Sequence, residues 1–270
     1  MVTRRRKAQE RKGWILITIA AIGFLAIGAA AITLSLRERR TDVVTGCPVD
    51  HYDAVTAVLV DMTDALDPVQ AAALRNTLLK IRDATPKYGR LEIYTLAPVD
   101  VSTLKPIFAA CSPGSAKDVD SSLYGNPELA ERIWRKQFGD KAEEIIAKIQ
   151  NTQPEERSPI LEGVKSVSVT AFGNPLAQDA RVKKFILISD LIQNGPELSM
   201  YQGIPDLARF RQSQFYADTR PGLRGADVEL VIISRETKRN IQNAPWRDFW
   251  IGYFDSVNST VERWVKIEEF

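Results

Sequence analysis

The sequence of 270 residues contains one histidine, His51, and two cysteines, Cys47 and Cys111. A zinc site needs several Cys and His ligands at short spacing, so this class of metal site is excluded. Serine-nucleophile chemistry lacks support as well, because no G-x-S-x-G motif is present and His51 is the only histidine available as a base. The phosphate-binding patterns G-x-x-x-x-G-K-[ST] and G-x-G-x-x-G are also missing, which argues against nucleotide hydrolysis and dinucleotide binding.

Beyond the first 40 residues the chain has no excess of positive charge. Residues 1–40 contain nine Lys/Arg and two Glu, whereas residues 41–270 contain 27 Lys/Arg and 32 Asp/Glu. A nucleic-acid partner requires a basic surface to replace the counterions of its phosphates. The composition therefore disfavours nucleic acid as a partner of the main domain.

Residues 13–36 form one uncharged, mostly apolar run between two basic clusters. About 20 apolar helical residues cross a bilayer, so this run predicts a transmembrane helix. A cleaved signal peptide, with the Ala run at 29–31 as its cleavage site, and a buried helix are the alternatives. The larger basic cluster lies in residues 1–12, which places the N-terminus in the cytoplasm. The expected protein is thus a single-pass inner-membrane protein whose main domain is periplasmic.

Both cysteines lie on the predicted outer side of the membrane. A Cys47–Cys111 disulfide is permitted in that oxidising compartment and would close a long loop. Two unrelated buried thiols are the alternative. Residues 37–53, which include Cys47 and His51, are interpreted as a juxtamembrane linker.

Residues 54–270 alternate between strand-like and helix-like segments, which predicts an α/β three-layer sandwich with a mainly parallel, Rossmann-like sheet. Residues 98–157 are expected to form an irregular and helical insert. Three helix starts carry capping signals, Asp67 before Pro68, Asn126 before Pro127 and Ser158 before the segment 159–172. An aromatic stripe in the last segment predicts a final helix that runs from about Pro245 to the end of the chain and packs on the core, with partner binding as the alternative. Strands are predicted over residues 54–60, 90–98, 183–190 and 226–234.

Two of the predicted strands end in an acid, Asp61 and Asp190. In open parallel sheets, ligands bind outside the carboxyl ends of the strands, near the point where the strand order reverses. Helix N-termini face the same edge, so Ser158 is expected there too. Oxygen ligands from three distant segments can therefore meet at one place.

The stretches "VLVDMTDA", "SPILEGV" and "KKFILISDLIQN" resemble the three loops of a von Willebrand factor A (vWA)-type domain. The resemblance extends over about residues 54–267 in the order of elements and implies a divalent cation, usually Mg²⁺, at the strand ends. It implies Asp61, Thr63, Ser158 and Asp190 as the metal-site residues. Ala65 departs from the family pattern, since it stands where a second hydroxyl is expected. Mg²⁺ keeps several waters and tolerates a sparse protein shell, whereas in the alternative interpretation the acids only cap helices and bind loop amides.

The resemblance implies a bacterial, membrane-tethered protein-interaction module that binds a carboxylate of a protein partner through the cation. A structural subunit of a membrane complex that uses no metal is a second hypothesis. The stretch "VDMTD" after a buried strand also resembles the haloacid dehalogenase-like phosphatases, which gives a third hypothesis with Asp61 as the nucleophile. In that case an acid is expected two residues later, where the chain has Thr63, so we expect no enzymatic activity.

Overall fold

The computed structural model describes residues 14, 17–29, 39–96, 101–119, 125–149 and 155–267. It divides into two units, Met1–Arg40 and Thr41–Phe270. In the first unit, residues 14 and 17–29 are helical and exposed. No helix in the described part of the chain is long and apolar enough to cross a membrane. The predicted span over residues 13–36 lies partly outside the described residues, and the basic segment 1–12 lies wholly outside them.

The second unit is built on a six-stranded sheet with the order β3-β2-β1-β4-β5-β6. All neighbouring strands pair in parallel except β2 and β3, which are antiparallel. The prediction of an α/β fold with a mainly parallel sheet is confirmed. The strands are β1 (Ala54–Asp61), β2 (Gly89–Leu96), β3 (Phe108–Cys111), β4 (Val182–Ser189), β5 (Asp227–Ile233) and β6 (Val261–Ile267).

Helices pack on both faces of the sheet. Helices α1 and α3 contribute to the core on one face, and α4 and α7 to the core on the other. A π-helical turn follows α2 at Arg135–Gly139, and a second follows α4 at Ser168–Phe172. The α-helices are α1 (Pro68–Ala84), α2 (Pro127–Trp134), α3 (Asp140–Lys148), α4 (Ile160–Val167), α5 (Leu207–Phe210), α6 (Gln214–Thr219) and α7 (Ala244–Ser256).

The end of the chain differs from the sequence prediction. Helix α7 stops at Ser256, and residues Val261–Ile267 form the edge strand β6 instead of continuing the helix. Asn258 has a φ of 58°, a left-handed conformation that an α-helix does not contain. Trp264 therefore approaches Trp246 from a strand, edge-on at 5.3 Å between ring centroids. The helical part of the stripe is buried, as predicted for a core element.

The segment 98–157 holds a strand that the sequence reading missed. β3 is four residues long and pairs antiparallel with β2 at the sheet edge. So short a strand shows no usable periodicity, so the sequence predicts irregular structure there.

Cys47 and Cys111 form a disulfide across 64 positions of sequence, which confirms the predicted bridge. Both cysteines are buried, and Cys111 is the last residue of β3. Tyr52, also in the predicted linker 37–53, packs into the same core. The disulfide thus ties the segment before β1 to the edge of the sheet.

Candidate metal centre

The strand order reverses between β1 and β4. From β1 the chain proceeds outwards to β2 and β3, and from β4 it proceeds in the other direction to β5 and β6. Neighbouring crossover connections then leave on opposite sides, which opens a crevice at the carboxyl ends of the two central strands. Asp61 ends β1, and Asp190 directly follows β4.

Asp61 is the centre of a buried hydrogen-bond cluster. Its side chain is 5% exposed. Oδ1 accepts from the backbone N–H of Thr63 at 3.0 Å and from the Thr63 hydroxyl at 2.7 Å. Oδ2 accepts from the hydroxyls of Ser158 at 2.9 Å and Ser189 at 2.8 Å. One carboxylate therefore connects β1, β4 and the loop before α4.

Side-chain alternation explains why Ser189 reaches Asp61. Along β1, Val55, Ala57 and Leu59 point to the core beneath α4 and α7, and Asp61 continues that series. Phe185 and Leu187 of β4 point to the same core, so Ser189 also faces that side. Because β1 and β4 are paired in register, the two side chains meet at the strand ends.

Ser158 differs in role from the helix cap that the sequence predicted. The first cap position of α4 is Pro159, and no side chain caps the helix there. The backbone of Ser158 instead pairs with Asn194 in both directions at 2.9 Å, which directs its hydroxyl to Asp61. Gln193 takes over part of the capping, since its Oε1 accepts from the N–H of Leu161 in the first turn.

Helix α4 comes close to the sheet beside this loop. A Cβ on Gly163 would lie 2.7 Å from Leu96 Cδ1 and 3.2 Å from Leu59 Cδ2. The glycine permits this approach, because any larger residue would push the helix or the leucines away. The position of Ser158 over the strand ends therefore depends on the absence of a side chain at Gly163, one turn into α4.

Asp190 occupies a rigid turn after β4. Its Oδ1 accepts from the N–H of Ile192 at 2.9 Å, and Leu191 has a φ of 56°. The carbonyl of Leu191 accepts from the indole N–H groups of Trp246 at 2.8 Å and Trp250 at 2.9 Å. Two buried tryptophans of α7 thus hold the left-handed residue that orients Asp190.

The site holds more negative charge than it can easily accommodate. Burial raises the pKa of Asp190 well above its ordinary value, and the negative charges of Asp61 and Asp64 raise it further. The hydrogen bond from Ile192 and the positive charge of Arg235 act in the opposite direction. The pKa of Tyr201 is raised to about 12, first by burial and then by the charge of Asp190. A bound cation or proton would relieve this repulsion.

The loop after β1 contains Asp67, which caps helix α1, and Ala65, where the sequence departs from the vWA pattern. Asp67 accepts from the N–H groups of Val69 and Gln70 and forms a capping box with Gln70, so it belongs to helix α1 as predicted. Ala65 is exposed, and its carbonyl accepts from Arg235 Nη1 at 2.5 Å. A guanidinium thus contacts the backbone of the residue that stands where the vWA pattern has a second hydroxyl.

The residues present fit a hard divalent cation with a sparse protein shell. Among the described residues, no group of three or more His, Cys, Asp or Glu side chains is placed to hold a metal ion. The predicted set contains instead two carboxylates, Asp61 and Asp190, and two hydroxyls, Thr63 and Ser158. All of these donors are oxygens and all four residues are buried, which suits Mg²⁺ and disfavours softer metals. Their role as ligands stays a prediction.

Three residues at this edge were missed in the sequence. Ser189 precedes Asp190 directly, and its place next to Asp61 could have been deduced from strand alternation. Arg235 follows β5 and reaches Ala65 across 170 positions. Gln242 donates to the carbonyls of Asp190 and Ile233, both at 3.0 Å. The contact of Arg235 with Ala65 and that of Gln242 with Asp190 have no local sequence signal, since each joins distant segments of the chain.

Comparisons with known proteins place the chain in no family. No protein-family model matches it, and no curated protein does. Among solved structures, the PilB minor pilin from Streptococcus sanguinis is similar at a TM-score of 0.45 and 11% identity, over 84% of this chain and 59% of the pilin. The human COPII-coat protein Sec24c is similar at 0.38 and 10%, over 82% and 30% of the two chains. The VWA domain of SpRpn10 is similar at 0.37 and 10%, over 80% and 88%.

The chain spans 59% of the pilin and 30% of the coat protein. TM-scores below 0.5 at about a tenth identity assign neither a family nor an activity.

Proposed function

We propose that the chain is a membrane-anchored, vWA-like protein-interaction module that binds a carboxylate of a protein partner through Mg²⁺ at the strand ends. One observation carries the proposal. Two buried carboxylates, Asp61 and Asp190, lie close together in the crevice where the strand order reverses. A bound cation would compensate for the repulsion between the two acids, and perturbed carboxyl groups of this kind cluster at functional sites.

Asp61, Thr63, Ser158 and Asp190 are the residues that would hold the cation. Mg²⁺ supplies a positive centre that attracts the carboxylate of a partner while keeping some of its waters. The hydroxyl groups of Thr63 and Ser158 now donate to Asp61, and they would rotate to present their oxygen atoms to the ion. The two tryptophans on Leu191 keep Asp190 in place during this change.

Substitution of the two acids tests the proposal. We expect Asp61→Asn and Asp190→Asn in the full-length chain to abolish Mg²⁺ binding in a calorimetric titration, with the fold intact by circular dichroism. The exposed Asp248→Asn variant is the matched control and should bind Mg²⁺ as the wild type does. Affinity purification from detergent with Mg²⁺ or with EDTA then isolates the partner. Equal capture of that partner by wild type and Asp61→Asn, in either solution, would contradict the proposal.

A metal-free structural subunit is the second candidate, and one observation favours it. Asp61 already accepts four hydrogen bonds inside the protein, which satisfies both of its oxygens without an ion. Under this alternative the titration shows no Mg²⁺ binding to the wild type, and the complex persists in EDTA.

We propose no catalytic activity. The same four hydrogen bonds occupy both carboxylate oxygens of Asp61, which disfavours a role as nucleophile. Thr63 stands where a phosphatase needs an acid. Turnover of a generic phosphate ester that disappears in Asp61→Asn would overturn this.

The membrane anchor is proposed from the sequence of residues 13–36 and the basic residues before it. It would keep the N-terminus in the cytoplasm and the domain Thr41–Phe270 outside. A reporter that is active only in the periplasm, fused after Phe270, should give a signal. A silent fusion that is expressed at a normal level would contradict the orientation.

A further inference from the structure

A concave pocket of about 360 Å³ opens at the carboxyl ends of β5 and β6. Trp246 and Ile232 contribute apolar side chains to its lining. The polar lining comes from the loop after β5 and the end of β6, namely Ser234, Arg235, Glu236, Arg239, Gln242 and Lys266. The pocket belongs to the same sheet edge as Asp61 and Asp190 but lies two strands away from β1.

The pocket is positive in an acidic domain. Three cations, Arg235, Arg239 and Lys266, line it together with one acid, Glu236, which pairs with Arg239 at 2.6 Å. No carboxylate of the described residues forms an ion pair with Arg235 or Lys266, and the charge of Arg235 also acts on Asp190. Residues 41–270 contain 27 Lys/Arg and 32 Asp/Glu, so this excess of positive charge runs against the composition of the domain. Such a local reversal of charge favours an anionic ligand.

Arg235 is held in a fixed orientation. Its Nη1 donates to the carbonyl of Ala65 at 2.5 Å and lies 3.5 Å from Gln70 Oε1, and its backbone N–H donates to Gln242 Oε1 at 2.9 Å. The Nε atom is buried and has no hydrogen-bond partner. Because the guanidinium is already ordered, ligand binding loses less conformational entropy at this side chain.

Gln242 connects this pocket to the acidic site. It lines the pocket, and its Nε2 also donates to the carbonyl of Asp190 at 3.0 Å. A peptide segment that places one carboxylate over Asp61 and Asp190 would therefore have its neighbouring residues beside Arg235, Arg239 and Lys266. The acidic subsite requires Mg²⁺ to bind a carboxylate, whereas the pocket is positive without an ion.

We propose that this pocket binds a second carboxylate side chain of the same partner, so that the module recognises an acidic peptide segment and not a single acid. The proposal rests on the proposed function and names the chemistry of its partner. A carboxylate matches the planar guanidinium groups by charge-assisted hydrogen bonds.

The test uses the full-length chain in detergent and a blocked tetraglutamate peptide, with a tetraglutamine peptide and inorganic phosphate as comparison ligands. We expect tetraglutamate to bind in EDTA and to bind more tightly in Mg²⁺. The double variant Arg239→Glu/Lys266→Glu should weaken binding in both solutions by roughly ten-fold or more. Both side chains are exposed, so the variant should fold normally. The control Lys136→Glu/Lys141→Glu, with two exposed lysines on other elements, should bind as the wild type does.

The outcomes separate the two proposals. If Asp61→Asn removes the Mg²⁺ effect but Arg239→Glu/Lys266→Glu leaves the affinity unchanged, the pocket proposal is overturned and the metal-dependent function stands. If the double variant weakens binding and Mg²⁺ has no effect, the pocket stands and the metal-dependent function fails. Binding of phosphate with the affinity of tetraglutamate, or equal binding of tetraglutamine, would overturn the assignment of an acidic peptide.

Discussion

Ser189 donates its hydroxyl hydrogen to Asp61 at 2.8 Å and joins the ends of the two central strands at the point where the strand order reverses. The same hydroxyl oxygen accepts from the N–H of Leu191 at 2.8 Å. Ser189 thus connects the buried carboxylate of β1 to the turn that carries Asp190. This link makes the two acids parts of one site.

We expect Ser189→Ala to be more destabilising than Ser158→Ala. The first change leaves the buried N–H of Leu191 without its acceptor and costs about 1–3 kcal/mol. The second removes only one of the donors to Asp61 and costs about 1 kcal/mol. Urea denaturation of both variants beside the wild type measures the difference. Equal losses of stability would show that the Leu191 contact contributes nothing.

Asp190→Asn should stabilise the protein at neutral pH in EDTA. The folded-state pKa of Asp190 is raised above the unfolded value, so the stability it contributes is fully present below a pH of about 3.8 and is lost as the pH rises through the raised pKa. The amide keeps the contact with Ile192 but carries no charge, and we expect a gain on the order of 1 kcal/mol at pH 7. Urea denaturation at several pH values between 4 and 8 should show that the free energy of unfolding changes less with pH in the variant than in the wild type. A parallel profile would contradict this account of Asp190.

Asp67→Ala should cost about 1 kcal/mol, because it removes the capping box of helix α1. We expect the variant to keep the affinity for Mg²⁺ of the wild type, since Asp67 belongs to the helix and not to the site. Thermal unfolding and calorimetric titration of the same sample separate the two effects. Asp67→Asn, which can still cap the helix, is the control and should lose less stability.

Reduction of the Cys47–Cys111 disulfide should lower the free energy of unfolding by about 4 kcal/mol, because the bridge closes a long loop in the unfolded chain. Denaturation with and without a reductant measures the change. The Cys47→Ser/Cys111→Ser variant should behave like the reduced wild type and should not respond to the reductant. A thiol assay on the oxidised, unfolded chain should detect no free thiol.

Neither Trp246→Phe nor Trp250→Phe should leave the Leu191 carbonyl without a hydrogen bond, since the other indole still donates to it. The double variant leaves that buried carbonyl without either indole and should cost more than the sum of the two, by about 1 kcal/mol. A double-mutant cycle by urea denaturation measures this excess. Strict additivity would mean that only one of the two hydrogen bonds contributes.

Local sequence signals were sufficient for the elements that determine the architecture. The buried β-branched runs predicted β1, β2, β4 and β5, because strands of this kind sit inside a parallel sheet and are apolar on both faces. Asp67 before Pro68 predicted the start of α1, since capping depends only on residues within one turn. The acids at the ends of β1 and β4 predicted the edge where a ligand would bind. The shortest strand, β3, and the edge strand β6 gave no comparable signal.

The sequence by itself determined the α/β class and the location of Asp61 and Asp190 at one edge, because both follow from local pattern. Only the tertiary structure decided which groups surround those acids. Ser158 binds Asp61 instead of capping a helix, and Arg235 reaches Ala65 across 170 positions. These contacts arise from how distant segments pack, and packing is a property of the whole fold that no window of neighbouring residues contains.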